Sequence, residues 1–288
     1  MQYAVLAGTF TALAAGLVGY FVVLRNEVFT SDTLGHVAFT GGLGALLAGL
    51  QLLVGVFGST IAVAVGLGTL GGRARGRDVA IGTVFAWVLG LGVLFLSLYT
   101  SNRSAGGGAA GVSILFGSIL GLQAAQAAIT AIAGAITTVA LFAIARPLMF
   151  ISVDPDVAAA RGVPTKLVTV LFLVLLGATV AEAVQAVGAL LIFGLMVTPA
   201  AIAQRLTSRP YMGMLLSGAL AVAFVWIGLA LAFYISYPAS FFITALAFGT
   251  YLAVMIGAAL ARRRQGGEQR GRRDRDGRHA ELEPAAPH

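Results

Sequence analysis

The chain has 288 residues, 59% of them hydrophobic and 10% charged, with a mean hydropathy of +0.95. A water-soluble fold of this length needs more polar residues to cover its surface, so the composition implies a helical protein that crosses a membrane many times. The net charge of +7 does not imply nucleic acid, because eight of the 18 basic residues lie beyond residue 261, mixed with acids and without an aromatic side chain to stack on bases.

Apolar stretches fall at 3–24, 34–52, 54–71, 79–99, 124–145, 166–183, 186–204, 212–234 and 239–261. They lack the strict alternation of barrel strands and run to about twice their 9–11 residues, which excludes a β-barrel. The first has no basic leader before it and is expected to stay as a span. Stretch 36–71 would be about 54 Å long as one helix against a hydrocarbon core of about 30 Å, so a break is placed near Gly55, and stretch 167–204 is broken near Glu182 for the same reason. Nine spans with a cytoplasmic tail put 17 of the 18 basic residues on one side and only Arg103 on the other; eight spans move Arg25 across and fit nearly as well. The expectation is an all-α polytopic membrane protein of eight to nine transmembrane helices. Its membrane domain is expected over residues 1–261, and a disordered, charged cytoplasmic tail over residues 262–288.

Two segments do not span. Ser101–Gly111 reads as a flexible connection, followed by the short amphiphilic piece Val112–Leu122. Phe150–Val163 is a polar excursion on the basic side. There Asp154-Pro155 has the form of an N-cap with proline at N1, Ala158–Arg161 continue a short helix, and Gly162 before Pro164 stops it. One or two helical turns are unstable alone, so the piece makes sense as a knob that docks into a partner.

Chemistry-bearing side chains are few. Cysteine is absent, so thiolate sites and disulfides are excluded. A phosphate-binding loop needs a lysine behind glycines, and the single lysine, Lys166, follows Pro164-Thr165. No catalytic motif is present, so neither ATP hydrolysis nor another enzyme activity is assigned to this chain. Within the spans the ionisable residues are Asp32, His36 and Glu182, with Gln185 beside the last. Asp32 and His36 stand at i and i+4, on one face of a helix, and offer an oxygen–nitrogen pair suited to Zn²⁺, Mn²⁺ or Fe²⁺. Two readings remain open at Asp32: a metal ligand, or with Ser31 a cap for the second span. A cap does not require His36. Glu182 is read either as part of a wet outer loop or as a ligand, and Met149 and Met196 as packing residues.

Four collinear motifs carry a resemblance. Residues 16–42, GLVGYFVVLRNEVFTSDTLGHVAFTGG, resemble the opening of the permease subunits of metal-type ABC importers, where a leucine-arginine pair precedes a G-D-A-L-S-H-A type motif. Ile114–Leu120, ILFGSIL, matches a phrase of that family. Arg146–Gly162, RPLMFISVDPDVAAARG, is similar to its R-P-L-x-x-x-S-x-D-x-x-x-A-x-x-x-G coupling segment, and Gln185–Ala203 to its Q-x-V-G-x-L-L…P-A-A stretch.

The resemblance implies a bacterial-type cytoplasmic-membrane permease that works as a homodimer on separate ABC ATPase subunits. An extracytoplasmic metal-binding protein would deliver the ion. It implies that Asp32 and His36 lie on the metal path, that Asp156, Ala160 and Gly162 belong to the piece that inserts into the ATPase, and that the cargo is zinc (favoured), manganese or iron, with no resident cofactor. The family's D-x-P-x-G near the last span is here Ser236-Tyr237-Pro238-Ala239-Ser240, so an acid is missing at Ser236, and Glu182 is the candidate to replace it. The alternative class is a secondary carrier or channel independent of ATP. That class calls for an inverted repeat, and none is visible.

Overall fold

The computed structural model describes residues 2–69, 74–102, 111, 114–117, 119–121, 123–189, 191–235 and 237–282. Residues 103–110 of the expected flexible connection, parts of the amphiphilic piece after it, Ser236 and the last six residues of the tail lie outside that set, as do the side chains of residues 261–282. All regular structure among the described residues is helical: α1 (Gln2–Leu24), α2 (Val28–Leu47), α3 (Leu52–Thr69), α4 (Ala74–Asn102), a 3₁₀ turn at Ile119–Gly121, α5 (Ala124–Val153), α6 (Pro155–Ala160), α7 (Thr165–Ala186), α8 (Ile192–Leu206), α9 (Pro210–Tyr234) and α10 (Ala239–Leu282). Seven of these contain stretches long and apolar enough to cross a membrane, from Gln2–Leu24 to Ala239–Leu260.

The other two long elements are α2 and α8. Helix α2 carries the polar residues that matter below, and α8, at 15 residues, is about 22 Å long and too short to cross alone. The bundle is built around α1 and α7, which are buried along much of their length and meet through Phe21 and Phe172, ring centroids 6.3 Å apart. Helices α3, α5, α8 and α9 pack around them. Helix α4 stands at the edge, packed on α2, and α10 packs on α8 and α9.

One end of the bundle gathers basic residues. Arg25, just after α1, donates to Thr169 Oγ1 in the second turn of α7 at 3.2 Å and lies 5.5 Å over the Phe172 ring. Gln204 of α8 donates to the Tyr20 carbonyl. The chain segments bearing Arg25, Lys166 and Arg205 therefore meet at one end, as charge counting along the sequence requires of a common side.

Several boundaries differ from expectation. The second span starts at Val28 rather than residue 34; Glu27 occupies the N-cap position without a side-chain cap to the backbone, and its carboxylate accepts from the Thr30 hydroxyl at 2.7 Å. Asp32 thus lies in the second turn, past the positions a cap can serve, and the capping reading of Ser31-Asp32 is not realised. The reversal expected near Gly55 falls at Ala48–Gln51, where the Leu50 N–H bonds back to the Ala45 carbonyl. The break expected near Glu182 falls at Val187–Leu191, leaving Glu182 inside α7. Helix α5 continues through Pro147 to Val153, so residues 150–153 of the expected polar excursion belong to it.

Candidate metal path

Helix α2 carries Asp32 and His36 half-buried, one turn apart on the same face. The face is set by its neighbours. Thr40, one turn beyond His36, donates to the Val88 carbonyl of α4 at 3.0 Å, and the His36 imidazole meets the Phe85 ring nearly at right angles, centroids 5.2 Å apart. The stripe Phe29–His36–Thr40 therefore runs along α4. The opposite side of α2 packs on α3, where Ser59 donates to the Val37 carbonyl. The pair is held in the protein but stays partly accessible, which suits an ion that must arrive and leave.

Beside the pair, Gly35 faces the break between α7 and α8. A Cβ there would sit 3.2 Å from the Ala189 carbonyl oxygen and 3.6 Å from the Ile192 side chain. The break itself is a contact between two backbones. Gly188 (φ +96°) and Gly117 (φ +72°) face each other, and a Cβ on Gly117 would stand 2.5 Å from the Val187 carbonyl carbon. A Cβ on Gly188 would collide with the Leu115 carbonyl. Ala189 N–H donates to the Ile114 carbonyl at 3.0 Å, giving this non-helical backbone an internal partner, as a low-dielectric setting demands. The residues of two sequence motifs, ILFGSIL and QAVG, thus meet.

Glu182 stands elsewhere. It is fully buried in α7, and neither carboxylate oxygen has a hydrogen-bond partner; Gln185 Nε2, one turn on, has none either. Among the described residues no three histidines, cysteines or acids gather into a group that could hold a metal. The structure therefore brings Asp32 and His36 together and leaves Glu182 out of their cluster.

The short helix α6 forms as its sequence requires. Asp154 caps α6, its Oδ1 accepting from Val157 N–H at 2.9 Å, with Pro155 at N1. The stop is a Schellman motif: Val163 N–H bonds to the Ala158 carbonyl and Gly162 N–H to the Ala159 carbonyl, with Gly162 at φ +81°. Ala158 is buried and anchors the piece, whereas Asp156, Ala160 and Gly162 are exposed. Val153 and Val157, also exposed, add apolar surface beside them.

Sequence reasoning missed Phe85, the ring against His36, which sits among 17 phenylalanines with no local signal. It also missed the meeting of Gly117 with Gly188, although each lies inside a motif whose glycine was visible.

The structure is thus a multi-helix membrane body with a half-buried carboxylate–imidazole pair and an exposed, capped knob at its basic end. The chain belongs to the ABC 3 transport family, whose model matches residues 1–258. It is 29% identical over 210 residues to the manganese transport system membrane protein MntC of Halalkalibacterium halodurans, covering 73% of this chain and 70% of that one. It is 27% identical over 259 residues to a Haemophilus influenzae protein described as a probable iron transport system membrane protein, covering 86% and 93%. Among solved structures it is similar to PsaBC from Streptococcus pneumoniae in complex with Fab, with a TM-score of 0.76, 26% identity, and 88% and 90% of the two chains covered. The chain is a permease of the metal-type ABC importers, and the family's fold matches the all-helical membrane architecture expected from composition.

Proposed function

We propose that this chain moves a divalent transition metal inward past Asp32 and His36, as a homodimer driven by separate ABC ATPase subunits and loaded by an extracytoplasmic metal-binding protein. The observation that carries the reading is the half-buried carboxylate–imidazole pair on one face of α2, inside a membrane domain where such residues are costly. Two ligands from one protomer make a weak site, and a second copy would supply a matching pair at the dimer axis. Weak binding suits transport, since a closed cage of ligands would trap the ion. Oxygen and nitrogen donors accept Zn²⁺, Mn²⁺ and Fe²⁺ alike. The relatives are named for manganese and iron, so the preference moves from zinc to manganese.

Residues 1–261 form the transport domain of a cytoplasmic-membrane protein, and 262–288 a charged tail on the cytoplasmic side. The exposed edge of α6, with Asp156, Ala160 and Gly162, docks into the ATPase. ATP binding would draw the two α6 helices together and open the dimer toward the loaded binding protein; hydrolysis would release the ion inward. Glu182 serves as a separate acidic station near the break between α7 and α8, compensating for the acid that the family carries where this chain has Ser236.

The test is Mn²⁺ uptake into proteoliposomes holding the permease, its ATPase and the loaded binding protein. Uptake that requires ATP and stops when the ATPase is inactivated is the expected result. Uptake of the same rate without ATP would convert the reading to a secondary carrier or channel.

A further inference from the structure

A histidine that binds metal usually has its ring fixed by donating the second N–H to a carboxylate or a carbonyl. Neither imidazole nitrogen of His36 has a hydrogen-bond partner among the described residues. What touches the ring is Phe85 of α4, centroid to centroid 5.2 Å with the planes at 83°. Phe85 is itself braced by Phe29, two turns before His36 on the same stripe of α2, at 5.5 Å. The register of α4 beside α2 is set independently of these rings. Thr40 donates to the Val88 carbonyl, and at Gly92 a Cβ would lie 2.8 Å from Thr40 Oγ1. At Gly44 it would lie 3.1 Å from the Phe95 ring.

We propose that Phe85 is a positioning residue for the transported metal: its ring holds the His36 imidazole in one orientation, so the ion meets a preset nitrogen. The proposal rests on the reading that His36 ligates the cargo. An edge-to-face aromatic pair restricts the imidazole to a narrow range of χ2 without placing a competing charge beside the ion. It also places no protein donor or acceptor on the ring nitrogens, so the nitrogen that this orientation presents is open to the ion. Helix α4 packs on α2 and lies at the edge of the bundle, so a shift of α4 would release the ring and loosen the metal.

The test uses the full permease assembled with its ATPase in nanodiscs, without the binding protein, so that Mn²⁺ affinity reports the permease site alone. Phe85→Leu and Phe85→Met keep apolar bulk without the ring, Phe85→Tyr keeps the ring, and His36→Ala removes the ligand. Losing the ring contact should raise the Kd for Mn²⁺ about three- to tenfold in the Leu and Met variants, while the Tyr variant stays within about twofold of wild type. Pulsed electron paramagnetic resonance of bound Mn²⁺ should show imidazole nitrogen coupling in wild type and Phe85→Tyr, and a weakened or broadened coupling in Phe85→Leu and Phe85→Met. Wild-type affinity and nitrogen coupling in either ringless variant, or a Tyr variant that behaves like Leu, would overturn the positioning role. Full nitrogen coupling in His36→Ala would instead overturn the ligand reading on which it rests. Elution of each variant as the assembled complex separates these outcomes from failure to fold.

Discussion

Asp32 and Glu182 are both carboxylates within helices of the membrane domain, yet their surroundings are opposite. Asp32 is half-exposed, one turn from His36, on a helix whose neighbouring face is lined by a single edge helix. Glu182 has no accessible surface, no hydrogen bond to either oxygen, and an unpartnered Gln185 amide as its companion. The first arrangement keeps a carboxylate and an imidazole partly accessible on one helix face. The second is a polar group enclosed by packing. The two carboxylates thus differ in access and in having a second donor on the same helix face.

The contrast can be broken by substitution, and the largest effect is expected at the open pair. Asp32→Ala and His36→Ala should each lower ATP-driven Mn²⁺ uptake at least about a hundredfold, given that even the outer partners of metal ligands are worth 10–100-fold. Membrane insertion should be unchanged, read by the amount of full-length protein in the membrane fraction. Gly188→Val should act differently. Its side chain meets the Leu115 carbonyl and the Gly117 backbone at a positive φ, so the protein should fail to accumulate, measured by the same membrane fraction. Normal accumulation of that variant would show that the break between α7 and α8 can repack.

Glu182→Gln sharpens the comparison. As an acidic station apart from the pair, its loss should slow uptake by about three- to tenfold without changing Mn²⁺ affinity at the permease, the scale of one charge-assisted contact. Unchanged uptake would remove Glu182 from the path altogether. The smallest effect is expected at the knob. Asp154→Ala deletes the cap on Val157 N–H and should destabilise α6 by about 1 kcal/mol. The measurement is ATP hydrolysis stimulated by the loaded binding protein, which should fall severalfold while basal hydrolysis by the ATPase persists.

Legibility in the sequence followed the range of the interactions. Helix α6 was readable to within one residue, ending at Ala160 where Arg161 was expected, because its cap, proline and Schellman glycine act within ten positions. The pair Asp32/His36 was readable because i and i+4 fall together in any helix. The start of α2 was misplaced because Ser31, Asp32 and Thr33 look like a polar lead-in. In the fold the first turn is closed earlier, where Ser31 N–H bonds to the Glu27 carbonyl. The span breaks were expected from length alone, and length does not say which glycine turns the chain. Gly188 became the turning point through Gly117, a contact across some seventy positions that only tertiary packing creates. Phe85 against His36 is of the same kind: two helices in register, with nothing local in either to announce it.

The central claim is that the ion rests between Asp32 and His36. A crystal of the homodimer grown with Mn²⁺, measured at the manganese absorption edge, tests it directly. The account predicts an anomalous difference peak bounded by the Asp32 carboxylate and the His36 imidazole of the two copies. A peak at Glu182 with none at the pair, or ordered Mn²⁺ reached by neither residue, would contradict it.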